Sequence, residues 1–142
     1  MQQKMKINRI DYPVKVLVIW SEAIGGNREM RDWLMKNGFR ELAMFVYGIY
    51  NMDEARKWLM DNGFPHFMAL LNGIEGKEDA VKWLEQHNFA VMAKVAKAAD
   101  GYYAERDWLM QNDKLFALIA QRIKYIKDQI HENNSDYHRI SI

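Results

Sequence analysis

The chain has 142 residues, of which 49% are apolar, which is enough for one globular domain with a core. A net charge of +1 excludes an overall field that attracts nucleic acid, and the lack of cysteine excludes disulfides and thiolate zinc sites. Because no stretch is apolar enough to span a membrane and no secretory cleavage site is expected, we predict a cytoplasmic protein.

The first predicted helix lies in "VKVLVIWSEAIGG", residues 14–26. Leu17, Trp20, Ser21 and Ile24 recur at helical spacing and therefore share one face. This pattern matches the second helix of the units that follow. Residues 1–26 are therefore interpreted as a degenerate opening unit.

A repeat of 25 residues follows this opening unit. The string "RDWLMKNGF" at 31–39 returns in altered form at 56–64, 81–89 and 106–114. The pattern predicts units 27–51, 52–76, 77–101 and 102–131 of a single repeat domain, 1–131. The marker of each unit is a tryptophan followed by leucine, with the tryptophans at Trp33, Trp58, Trp83 and Trp108.

Each unit is predicted to begin with a short helix, which we call helix A. In the unit 52–76 this helix covers about residues 53–62, with Asp53 and Glu54 in its first turn. Gly63, like Gly38 one unit earlier, is expected to adopt the left-handed conformation that ends a helix. We interpret the tryptophan column as structural and expect all four rings to be buried.

The second helix of each unit, helix B, carries an apolar inner stripe. In the unit 52–76 Pro65 suits its first turn. The last helix B is predicted to run from about 114 to 131, with a polar outer surface typical of a capping unit. Residues 132–142 are predicted to be a frayed polar tail. The stripe of the unit 52–76 consists of Phe67, Leu70, Leu71 and Ile74.

Two helices and two turns fill 25 positions, so no room remains for a strand. The sequence therefore predicts an all-α fold, a short superhelical α/α solenoid of about nine short helices whose units bury their stripes by stacking. The repeat is shorter than the ankyrin and tetratricopeptide units, which are about 33 and 34 residues long.

No catalytic, cofactor or metal site is predicted. The four histidines, His66, His87, His131 and His138, are interpreted as surface or capping residues without converging ligands. No nucleophile elbow, glycine-rich phosphate loop or paired-carboxylate pattern occurs.

Two surface columns are the candidate interaction sites. The first, which we call the ladder, is predicted to run along successive B helices and to become basic at its end. Tyr47 would be its aromatic anchor, and Lys94 and Lys124 would add positive charge beside it. The ladder consists of Glu22, Tyr47, Asn72, Lys97 and Arg122.

The second column lies two positions after each tryptophan. It contains Met35, Met60 and Met110, with Glu85 in place of a methionine in the unit 77–101. Methionine adapts to irregular partners, so this column either packs against an adjacent unit or forms an exposed partner surface.

These surfaces favour a non-catalytic module that binds a protein or peptide, with an acidic partner on the ladder. A small-molecule binder or enzyme that uses a pocket between helices is the first alternative. Weak nucleic-acid binding through Lys94, Lys97, Arg122 and Lys124 is the second.

Overall fold

A computed structural model describes residues 10–140, and their side chains as far as residue 133. The first nine residues of the opening unit and residues 141–142 of the predicted tail lie outside the described part. Nine helices and no strand occur in residues 10–140, so the predicted all-helical class is confirmed. The helices are α1 (Val14–Ile24), α2 (Arg28–Lys36), α3 (Arg40–Ile49), α4 (Asp53–Asp61), α5 (Pro65–Ile74), α6 (Glu78–Gln86), α7 (Ala90–Ala99), α8 (Tyr103–Asn112) and α9 (Lys114–Ile140).

The even-numbered helices are the predicted A helices, and the odd-numbered helices are the B helices. Each B helix contacts the A helix that follows it in the chain, and also the next B helix. Successive units therefore bury their stripes against one another, as the repeat requires.

The turn from helix A to helix B has the predicted geometry. Gly38 and Gly63 have φ angles of 91° and 87°, and Asn88 takes the same left-handed conformation with φ 69°. The amide N–H of Phe64 then donates to the carbonyl of Leu59 at 2.9 Å, which is the long-range bond of a Schellman ending. Asparagine side chains complete the cap: that of Asn62 donates to the carbonyl of Trp58 at 2.8 Å.

The expectation that the tryptophans are buried is wrong. Trp33, Trp58 and Trp83 are half-buried, and Trp108 is 38% exposed. The fully buried residue of each A helix is the leucine that follows the tryptophan. One residue is 100° of helix rotation, so only one of the two neighbours can face the core. The buried leucines are Leu34, Leu59, Leu84 and Leu109.

The ring of each of the first three tryptophans instead stacks on the phenylalanine that follows the A helix. The centroids of Trp58 and Phe64 are 5.8 Å apart, with an interplanar angle of 11°. The pairs Trp33–Phe39 and Trp83–Phe89 have the same arrangement. The repeated tryptophan and phenylalanine of these three units thus form a stacked aromatic pair at the edge of the core.

The core lies between the B helices. Trp20, the fifth tryptophan, is fully buried, and its edge-to-face contacts reach Phe45 at 5.3 Å and Phe67 at 6.0 Å. Its indole N–H donates to the carbonyl of Leu42 at 3.1 Å, so the buried polar atom is satisfied. The predicted inner stripe of α1 is therefore confirmed at Trp20.

Two glycines allow the B helices to approach closely. A Cβ added at Gly48 would lie 2.6 Å from Cδ1 of Leu71, and one at Gly73 would lie 2.9 Å from Cβ of Ala96. The lack of a side chain at Gly73 thus allows α5 to lie close to α7.

The last unit has a shorter A-to-B turn. Three residues separate α4 from α5, whereas only Asp113 separates α8 from α9; α8 has 10 residues and α4 has 9, so the net loss is one residue. Asp113 has φ −156°, and its carboxylate accepts a hydrogen bond from the backbone N–H of Phe116 at 3.2 Å, which caps α9. Each residue of α9 therefore lies one position earlier in the chain than the 25-residue spacing predicts.

The last helix contacts the first unit as well as its own neighbours. α9 packs against α7 and α8, but also against α1 and α3, so the last unit meets the first. α9 also continues to Ile140, through the segment predicted to be a frayed tail. No helix in residues 10–140 combines the length and apolar character needed to cross a membrane.

Candidate functional site

The methionine column divides into one packed and two exposed members. Met35 is half-buried and packs against the core. Met60 and Met110 are 53% and 56% exposed, and Glu85 is exposed at the equivalent position. Met35 is therefore packed, whereas Met60 and Met110 are exposed, and that these two form a partner surface stays a prediction.

The ladder does not form a continuous exposed ridge. Tyr47 is half-buried, and the guanidinium carbon of Arg31 lies 4.8 Å from its ring centroid. Lys97 is also half-buried, with its ammonium nitrogen 3.8 Å from the Glu105 carboxylate. Asn72 is half-buried in a groove described below.

Arg122 does not belong to the ladder, because the short turn at Asp113 shifts the register. The residue equivalent to Asn72 in the last unit is Gln121. Arg122 instead corresponds to Gly73, one of the small residues at the contacts between B helices. Within residues 10–140 no B helix follows α9, so this position accommodates a long side chain, and Arg122 reaches back to Ser21 at 3.0 Å and to Glu22 at 3.5 Å.

The other cations of the predicted basic patch also make intramolecular contacts. Lys94 lies over the ring of Trp108 at 4.8 Å, and Lys124 pairs with Asp128 at 2.7 Å. Of the four cations, Lys97, Arg122 and Lys124 thus pair with carboxylates of the chain itself, whereas Lys94 lies on a neutral aromatic ring.

An open groove lies where α4, α5 and α6 meet. We call it the Met60 groove; its volume is about 730 Å³. Met60 comes from the end of α4, Met68 lies on α5, and Trp83 lies on α6. Its apolar part also includes Pro65, Ala69 and Ala80.

One end of the Met60 groove is polar. Asn72 lines it from α5, and Lys77, Glu78 and Asp79 line it where α6 begins. The carboxylates in the first turn of α6 complement the helix dipole there, so these charges also have a structural role. The groove thus combines an apolar floor with a polar, hydrogen-bonding end.

A second groove lies beside Met110, between α7, α8 and α9. We call it the terminal groove; its volume is about 460 Å³. Five of its lining residues are equivalent in the repeat to residues of the Met60 groove. The equivalents of Met60, Pro65, Met68, Ala69 and Asn72 are, in that order, Met110, Lys114, Ala117, Leu118 and Gln121. The repeat therefore forms a groove beside each exposed methionine of the column.

His66 and Tyr12 are half-buried titratable groups, and the Glu41 carboxylate acts on both. His66 stacks on Phe89 with centroids 5.0 Å apart, and burial lowers its pKa, while the nearby Glu41 carboxylate acts in the opposite direction. The hydroxyl of Tyr12 donates to Glu41 at 2.6 Å, and burial together with this bond raises the pKa of Tyr12. Among the described residues, no group of three or more histidine, aspartate or glutamate side chains could hold a metal ion.

The predicted site residues and the observed grooves overlap only in part. Met60, Met110 and Asn72 line grooves, whereas Tyr47, Lys94 and Lys97 contact neighbouring helices. Sequence reasoning missed Met68 and Trp83 as groove residues. Trp83 had been assigned to the core, and Met68, next to the inner stripe, gave no separate signal.

Comparisons with known proteins place the chain in no group: no protein-family model, no curated protein and no solved structure matches it.

Proposed function

We propose that this chain is a non-catalytic protein- or peptide-interaction module, and that the Met60 groove binds the apolar side chains of a peptide. The observation that carries the proposal is the open apolar floor formed by Met60, Met68 and Trp83. Helical repeats commonly bind partners along such surfaces.

The chemistry of the floor suits a peptide with irregular apolar side chains. Met60 is 53% exposed, and an unbranched thioether side chain can change its rotamer to fit different partners. Trp83 adds a rigid aromatic surface beside it, and tryptophan is enriched among the residues that dominate binding energy.

The polar end of the groove would set the direction of the peptide. The side-chain amide of Asn72 has both donor and acceptor groups, so it can pair with a peptide N–H and C=O. Lys77 at the start of α6 would add a charged contact at the rim.

The test is a selection of displayed peptides on the immobilised chain, followed by affinity measurements on synthetic peptides. We expect the recovered peptides to carry two or more apolar anchors. In spectra of protein labelled with ¹³C at the methionine methyl groups, the Met60 and Met68 signals should shift when peptide binds.

Met60→Glu is the matched variant, because Glu85 already occupies the same position in another unit and is exposed there. We expect a folded protein with about tenfold or greater loss of affinity. Met52→Glu is the control, because Met52 is 46% exposed and does not line the groove. Peptides that bind Met60→Glu as tightly as the wild type would contradict the proposal.

Small-molecule binding in the same groove is the second candidate function. A volume of about 730 Å³ lies in the range of ligand sites, about 300–1,000 Å³. A thermal-shift screen of small apolar ligands against the wild type and Met60→Glu tests it. A compound that stabilises only the wild type would favour this function.

A further inference from the structure

The terminal groove lies on a surface that helix A of a following unit would cover if the repeat continued. The Met60 groove lies beside the unit 52–76. Its far wall is formed by the first turn and Trp83 of α6, which is helix A of the following unit, 77–101. α9 is the last helix of residues 10–140, so no later A helix takes this place in the terminal groove.

Equivalent residues of the two grooves differ in exposure. Ala69 in the Met60 groove is 8% exposed, whereas Leu118, its equivalent in the terminal groove, is 38% exposed. Ile19, which occupies the same position in the opening unit, is also buried. The last unit therefore exposes a large apolar side chain at a position that earlier units cover.

Two contacts elsewhere in the repeat identify the kind of side chain that covers this surface. The guanidinium of Arg40, equivalent to Lys114, lies 5.5 Å from the ring of Trp58 in the next A helix. Lys94, equivalent to Leu118, lies 4.8 Å from the ring of Trp108 in the next A helix. At both positions the tryptophan ring of the following helix thus lies against the cation, although Arg40 stays exposed.

The charges of the terminal groove indicate the charge that its occupant should carry. Arg56 pairs with Glu75 at 2.8 Å, whereas the equivalent residues in the last unit, Arg106 and Lys124, are both cations. With Lys114, three cations line the groove, and none of its described lining residues is acidic. Arg106 and Lys124 pair with Asp107 and Asp128, which do not line the groove.

We propose that the terminal groove binds an amphipathic helix of a partner protein, with acidic residues in its first turn and an aromatic anchor one turn later. Such a helix has the chemistry of the chain's own A helices, for example Glu78, Asp79 and Trp83 of α6. Its carboxylates face the three cations, and its aromatic ring covers Lys114 and Leu118. The mode is the recognition of a helix in an apolar groove.

The chain supplies the probe for this proposal. A fluorescently labelled peptide of residues 77–89, with both ends blocked to remove terminal charges, carries the acidic first turn and the tryptophan. Fluorescence anisotropy with the full chain should show saturable binding that weakens as salt is added, since unlike charges are screened. Peptides with Trp83→Ala, or with Glu78→Lys plus Asp79→Lys, should bind about tenfold more weakly or worse.

Matched protein variants locate the binding site. Lys114→Glu and Leu118→Ala each alter an exposed residue of the terminal groove, and each should lower the affinity about tenfold. Lys36→Glu, on α2, is the control and should bind normally, because α2 contacts neither α8 nor α9. Circular-dichroism melts of each variant show whether it is folded.

Three outcomes overturn the proposal. The first is no saturable binding up to about 1 mM peptide. The second is equal affinity in Lys114→Glu and Leu118→Ala. The third is concentration-dependent dimerisation, in light scattering, that Leu118→Ala abolishes, because the occupant would then be a second copy of the chain.

The inference rests on the interaction role proposed above but uses a different groove. Met60→Glu should leave binding of the peptide 77–89 unchanged, and Lys114→Glu should leave binding of the selected peptides unchanged. A failure at either groove can therefore be recognised separately.

Discussion

Arg122 donates a hydrogen bond from Nη1 to Oγ of Ser21, 3.0 Å away and 101 residues earlier in the chain. Ser21 is buried on α1, and Glu22 beside it lies 3.5 Å from the same guanidinium group. One side chain of the last helix thus ties it to the first. The contact depends on the single-residue turn at Asp113, which places arginine where other units have glycine or alanine.

Arg122→Ala should therefore lower the free energy of unfolding by about 1–2 kcal/mol, because it leaves the buried Ser21 hydroxyl without its charged donor. Urea denaturation followed by tryptophan fluorescence measures this loss. Arg106→Ala is the control: Arg106 pairs with its neighbour Asp107 and lies over the exposed ring of Tyr103 on the same helix, so its removal should cost about 0.5 kcal/mol. Equal losses in the two variants would show that the contact between the ends does not contribute to stability.

Gly38→Ala and Gly63→Ala should each destabilise the fold by about 1 kcal/mol. Added Cβ atoms would meet nothing within 4 Å, so the cost would come from φ angles of 91° and 87° alone. Gly25→Ala is the matched control, since Gly25 also follows a helix but has φ −73°. In urea denaturation it should be neutral or slightly stabilising; a loss equal to that of Gly38→Ala would contradict the conformational explanation.

Leu109 and Trp108 are adjacent residues of α8, and substituting each one measures separately how much the leucine and the tryptophan contribute to stability. Leu109 is fully buried, so Leu109→Ala should cost about 3 kcal/mol. Trp108 is 38% exposed and contacts Lys94, so Trp108→Ala should cost only about 1 kcal/mol. Thermal and urea melts of both variants would decide the order, and a larger loss for Trp108→Ala would restore the original interpretation of the tryptophan column.

The stability of the chain should fall as the pH drops below about 6.5, in part because of His66. Burial lowers the pKa of His66 below its usual 6.5, so the unfolded chain binds this proton more readily than the folded chain. The contribution of neutral His66 is therefore complete above pH 6.5 and is lost as the pH falls through and below that value. Urea melts at pH 7.5 and 5.5 should show a smaller decrease for His66→Phe, which can keep the stack on Phe89. If His66→Phe loses as much unfolding free energy between these two pH values as the wild type, His66 does not contribute to the pH dependence of stability.

The sequence predicted the regular features because local chemistry determines them. The Asn-Gly-Phe ending of helix A fixes a left-handed residue and a returning aromatic ring, and Gly63 and Phe64 both follow that expectation. The inner stripe of α1, including Trp20, also follows from helical spacing alone.

Other features depend on information that helical spacing does not contain. Trp58 and Leu59 are both apolar neighbours, and only packing decides which one faces the core. The register of Arg122 could have been recognised, because "NDK" replaces "NGF" and the next apolar stripe begins one residue early. The meeting of α9 with α1 could not, because it depends on the small rotation between successive units, summed over the whole repeat.

The meeting of α9 with α1 also bears on how the chain folds. In an open array each unit interacts only with its neighbours, so folding can begin anywhere and spread. Here the contacts between the two ends close a loop of about one hundred residues, and they can form only after α9 has been synthesised. We therefore expect a growing chain on the ribosome to remain incompletely protected until α9 emerges, and the folded chain to unfold in one cooperative step.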